Sequence, residues 1–197
     1  MFELEKMSID EVVDHIVALN HNLRRFWTKA EGWAPIEAAQ LLSKAQLDWQ
    51  VSLSKCLKIW LIEPLPDEGD GRLILAWANL GSLVEGTMKL LLSVYYKDYK
   101  NDVEAIKNRK GKLSDPDVLG LDKLRQFFRK RIWRKNEGWN EWVYHIQIRR
   151  NAIHAYKHRE IGTFDEFFGD VREYLKFLRY INNRLPYPDD IYKPREV

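Results

Sequence analysis

At 197 residues, 45% hydrophobic and 31% charged, the chain is long enough to bury its own core and too apolar for a disordered segment. A formal net charge of +3 selects no partner by itself. The single cysteine, Cys56, excludes an intrachain disulfide and argues against a cysteine-built zinc site.

Ten glycines and seven prolines are few for this length, so long helices are favoured over sheet. The opening residues, Met1 to Lys6, lack the basic-then-apolar pattern of a signal peptide; with so little cysteine, the expected compartment is the cytoplasm. Ser8 and Glu11 form a capping box, predicting a first helix to about residue 29 with Val12, Ile16, Leu19, Leu23 and Phe26 inward. Pro35 suits the first turn of a second helix, where Leu42, Ala45, Trp49, Leu53, Cys56 and Trp60 recur at steps of three and four. Pro64, Pro66, Gly69 and Gly71 end it.

A third helix over about 72–99 is apolar on most of its circumference and is expected at the centre. Asn79, Glu85 and Lys89 within it argue against a membrane span. Gly81 and Gly86 mark places where another helix crosses closely or the helix bends. Residues 100–120 read as a surface connection. A fourth helix carries Lys123, Arg125, Arg129, Lys130, Arg131, Arg134 and Lys135, interleaved with Phe127, Phe128, Ile132 and Trp133. Such a stretch can track a phosphate backbone, or it can be a solvated face over core aromatics.

The fifth helix is predicted over about 139–159, and a second capping box, Thr163 with Glu166, opens a sixth that runs to about 184. There Phe167, Val171, Tyr174, Leu175 and Leu178 face inward, and Pro186, Pro188 and Pro194 then make an extended tail. The expected fold is all-α: one single-domain helical bundle of about six helices over 1–197. It divides into an N-terminal helical pair (1–70), a core with the motif helix (71–185) and the tail (186–197).

The densest chemistry lies in Arg149-Arg150-Asn151-Ala152-Ile153-His154-Ala155-Tyr156-Lys157-His158. On a continuous helix, Trp139, Trp142, Val143, Ile146 and Ile153 form the apolar stripe. Gln147, Arg150, Asn151, His154 and His158 form a polar row beside it. Histidine exchanges protons near neutrality, and arginine offers a fixed fork of donors that matches a phosphate. Together they suffice for RNA cleavage without a metal: His154 activates a ribose 2′-hydroxyl and an arginine stabilises the phosphate charge. The alternative is a satisfied polar interface, with the arginines paired to Glu160 or Asp165. His154 and His158, at i and i+4, are a weaker pair for a metal, since no carboxylate shares their face.

At these residues the sequence resembles the HEPN family of small helical bundles, whose hallmark is Arg, four to six residues, then His. Arg149 and His154 fit with four residues between, although Arg150 follows where Asn or Asp is more usual. Starting instead from Arg150-Asn151 leaves only three. Arg149 is the first choice for the catalytic arginine and Arg150 the second. The resemblance covers about 71–185, including the long helix with Asn79 to Glu85. It implies a metal-independent endoribonuclease without cofactor, often a toxin or an antiphage defence component, acting as a homodimer on RNA under an antitoxin or regulatory protein. Some members are non-catalytic modules that bind RNA, a nucleotide or a protein. Asn151 then positions the phosphate or the other motif residues, and Arg125, Arg129, Lys130, Arg134 and His158 hold substrate. Glu85 faces the motif and orients His154 or Arg149, or else lies on a wet side of its helix.

Overall fold

A computed structural model describes residues 2–154 and 158–196. Its elements, in chain order, are α1 (Phe2–Lys6), α2 (Ile9–Trp27), α3 (Ile36–Lys44), α4 (Leu47–Cys56), α5 (Gly69–Val94), α6 (Tyr96–Asn101), α7 (Leu121–Arg131), α8 (Trp139–Arg150) and α9 (Phe164–Arg184). Short 3₁₀ turns join several of them. The fold is all-helical, with nine α-helices among the described residues rather than about six.

Most of that difference comes from two expected helices that break. The second divides at Gln46, whose φ of 49° lies in the left-handed region, so α3 and α4 present different faces. Leu42, Leu47 and Val51 are buried in place of a continuous stripe, and Trp49 points outward at 68% exposure. The long third helix ends at Val94, and Tyr95 separates it from the short α6.

Both capping boxes form as expected. Ser8 accepts from the Glu11 amide while Glu11 reaches back to the Ser8 amide, and Thr163 and Glu166 do the same for α9. The inward residues of α9, Phe167, Val171, Tyr174, Leu175 and Leu178, are fully buried.

Central α5 packs against α3, α4, α7, α8 and α9, while α2 lies across α4 and α9. Both internal glycines of α5 mark close crossings. A Cβ at Gly81 would come within 2.9 Å of the Arg150 Cβ on α8, and one at Gly86 would collide with the Gln50 side chain on α4. No described helix is long and apolar enough to cross a membrane.

Residues 185–196 are fastened to the bundle rather than left as an extended tail. The Tyr187 hydroxyl donates to Asn182 Oδ1 (2.6 Å), and Asn182 Nδ2 donates to the Pro194 carbonyl (2.9 Å). Asn22 Nδ2 on α2 donates to the Arg195 carbonyl (2.8 Å). Glu196 receives both forks of Arg179, at 2.5 and 2.6 Å.

Candidate functional site

Helix α8 stops at Arg150, nine residues short of the expected end at residue 159. Asn151–Ile153 form a 3₁₀ turn in which the His154 amide bonds to the Asn151 carbonyl, three residues back rather than four. His154 follows as an exposed bend residue. The polar row expected through Gln147, Arg150, Asn151, His154 and His158 is therefore not one helical face. Ala155, Tyr156 and Lys157 lie outside the described residues.

Arg149, not Ile153, completes the inward stripe of α8 with Val143 and Ile146; Ile153 is 46% exposed. The Arg149 guanidinium sits 5.8 Å from the centre of the Trp77 ring on α5, close enough for a cation–π contact. Its Nη2 donates to Glu166 Oε2 at 3.0 Å and lies 3.8 Å from Glu160 Oε1. The same Glu166 oxygen accepts the Thr163 amide of the capping box, so one carboxylate ties the start of α9 to the end of α8. Gly162, at φ 69°, covers the guanidinium: a Cβ there would lie 2.7 Å from Arg149 Nη1 and would overlap Glu166. That Nη1 is buried without a hydrogen-bond partner among the described residues. Trp77 Nε1 donates to the Ile161 carbonyl (2.7 Å) and holds the loop down.

Arg150 turns the other way and meets Glu85 of α5, Nη1 to Oε2, at 2.7 Å. Glu85 also pairs with Lys89 (2.9 Å) and accepts the Leu121 amide at the start of α7 (3.1 Å). It faces the motif helix, as one reading of the sequence expected, but through Arg150 rather than Arg149 or His154. Burial alone would raise the Glu85 carboxyl; Lys89 and then Arg150 outweigh it and hold it below the ordinary value.

Asn151 is half-buried and His154 exposed, and neither side chain has a hydrogen bond or ion pair among the described residues. Beside them opens a surface cavity of about 770 Å³, lined by Ala152, His158, Arg159, Glu160, Thr163 and Glu166 among others. The structure thus gathers Arg149, Arg150, Asn151 and His154 at one end of α8 and puts His158 on the adjoining cavity wall.

The basic stretch on and after α7 divides in two. Arg125 lies over the Tyr144 ring at 4.6 Å and donates to Gln147 (3.3 Å) and Asn140 (3.0 Å), joining α7 to α8. Lys130 pairs with Glu104 (2.6 Å) and Arg131 with Asp102 (2.7 Å). Lys123, Arg129, Arg134 and Lys135 are exposed and carry no ion pair among the described residues. Phe127, Phe128 and Trp133 between them are core.

Sequence reasoning missed His145, one turn before Arg149. Its Nε2 lies 2.9 Å from Asp170 Oδ2, Trp142 Nε1 donates to the other Asp170 oxygen (2.8 Å), and its ring meets Trp77 edge-on. The i, i+4 relation of His145 to Arg149 was visible, but nothing local marks Asp170, a helix away, as its partner. No protein-family model, curated protein or solved structure matches the chain.

Proposed function

We propose that the chain is a HEPN-like, metal-independent endoribonuclease. His154 takes the proton of a ribose 2′-hydroxyl, and the 2′-oxygen attacks the neighbouring phosphorus. The bond to the 5′-oxygen breaks and that oxygen is protonated, leaving a 2′,3′-cyclic phosphate and a 5′-hydroxyl. An arginine fork carries the charge that develops on the phosphate, and Asn151 orients the phosphate against His154. Of the two arginines Arg150 is the better suited, because Arg149 is buried under the Gly162 turn.

One observation carries this reading: two anchored arginines and an exposed histidine fall within residues 149–154, at one helix end beside an open cavity. The family resemblance extends the proposal to a cytoplasmic homodimer whose two motifs share a cleft. It also suggests a toxin or defence setting, with an antitoxin or regulatory protein covering the site.

The ion pairs themselves favour a second reading. Glu85 and Glu166 already neutralise both motif arginines, as a non-catalytic RNA-, nucleotide- or protein-binding module would allow.

Cleavage of mixed-sequence RNA in excess EDTA separates the two. Wild type should cleave, and His154→Ala of matched folded state and oligomer size should lose about a hundred- to ten-thousandfold in rate. Arg150→Ala should lose more activity than stability. Equal cleavage by wild type and His154→Ala would remove His154 from the reaction. RNA binding without cleavage by any protein would establish the module.

A further inference from the structure

At the other end of α9, the fastened segment 185–196 and the C-terminal part of α2 enclose a second cavity, of about 540 Å³. Arg25, Lys29, Lys193 and Arg195 line it around Phe26 and Tyr192. No carboxylate is among its described lining residues. Of the nearby acids, Asp48 pairs with Arg24 (2.7 Å), Glu196 with Arg179 and His15, and Asp189 accepts the Ile191 amide, while Asp190, outside the lining, has no side-chain partner among the described residues. The four lining cations carry no ion pair among the described residues. Ordinary surfaces intersperse the two signs; this cavity gathers one.

Its aromatic wall is open. Tyr192 is 58% exposed, its ring centre lies 6.5 Å from that of Phe26, and Phe26 in turn packs against Trp33 and Tyr187. The wall is also set in advance, because Asn182, Asn22 and Arg179 hold Pro194, Arg195 and Glu196 just after Lys193, and Asn182 accepts the Tyr187 hydroxyl before it. A preset groove of cations beside an exposed ring suits a strand whose phosphates are charged and whose bases have free faces. A duplex hides its base faces, and an acidic peptide has no use for the rings.

We propose that this cavity binds single-stranded nucleic acid, with phosphates on Arg25, Lys29, Lys193 and Arg195 and a base stacked on Tyr192. The motif end of α8 is a separate place. From Glu166, which holds Arg149, to Asn182, which holds the tail, α9 spans about 24 Å at its usual rise. The inference shares with the proposed function only the class of ligand.

Fluorescence anisotropy with a labelled oligo(dT) of about 12 nucleotides tests it, since that length lies within known single-strand site sizes. DNA lacks the 2′-hydroxyl that cleavage needs, so the readout is independent of catalysis. Wild type should bind. Arg25→Glu with Lys193→Glu should weaken binding at least about tenfold and flatten the dependence of log K on log salt by about 1.4, for two lost phosphate contacts. Tyr192→Ala should weaken it about tenfold. The milder Arg25→Gln and Lys193→Gln pair should act in the same direction if charge reversal disturbs folding. Unchanged binding in these variants would overturn the proposal, as would failure of the wild type to bind. So would loss confined to Arg129→Glu with Arg134→Glu on the α7 side. Loss on charge reversal with Tyr192→Ala unaffected would mean general polyanion attraction, and would overturn it too. Metal-free cleavage of RNA stands or falls separately on His154.

Discussion

Glu166 serves two partners with one oxygen, the Thr163 amide and the Arg149 guanidinium, beside a glycine at which a Cβ would meet both Glu166 and Arg149. Gly162 has a positive φ and no space for a side chain, so Gly162→Ala combines backbone strain with a clash. It should cost about 1–3 kcal/mol of stability in urea unfolding, and should lift the loop off Arg149. Glu85 makes a prediction of opposite character. Its carboxyl is held below the ordinary 4.5, so the native state favours the ionised form. The stabilisation is therefore fully present above that value and is lost as pH falls through the lowered native one. Urea midpoints measured from about pH 6 to pH 3 should fall more steeply for wild type than for Glu85→Gln.

At the scale of elements, the legible features were local ones. Both capping boxes lie within four consecutive residues, and each formed. The long apolar helix and its close glycine crossings were also readable, because a buried helix needs apolar residues all round and small ones at contacts. The end of α8 was not. A helical wheel assumes continuation, and the stretch after Arg150 contains neither Gly nor Pro before Gly162 to contradict it. What displaced the expected pattern was the burial of Arg149 against Trp77 and Glu166, partners on two other helices. The break at Gln46 was hidden likewise, since apolar residues on either side kept an acceptable spacing. Of the site, the sequence yielded the residue types and their neighbourhood; the carboxylate partner of each arginine came only from tertiary packing. Gly81→Ala probes the α5–α8 crossing. Although alanine favours helix, its methyl would press on the Arg150 Cβ, and overpacking of about 1–3 kcal/mol should result. A double-mutant cycle with Glu85→Gln should then show non-additive unfolding energies, because both changes act on Arg150.

For the molecule as a whole, the segment after α9 matters more than its prolines suggested. It covers Trp27 with Tyr187, and the Trp27 indole donates to the Tyr187 hydroxyl at 3.3 Å. Burial pushes that hydroxyl's pKa up. Ending the chain after Leu185 should cost at least about 2 kcal/mol, from lost aromatic burial and the stranded Asn182 amide. Calorimetry of the full and shortened chains would check this. Retention of the full melting temperature would show the clasp to be energetically idle.

The clasp also has a place in time. Asn22 and Arg195 are 173 residues apart in the chain, and Trp27 and Tyr187 are 160. Contacts so distant carry a large loop-closure cost unless intervening structure has already brought their ends together. Here α2 and α9 do so by packing side by side. The clasp should accordingly close after the bundle has assembled. Substitutions in it should speed unfolding while leaving the refolding rate nearly unchanged.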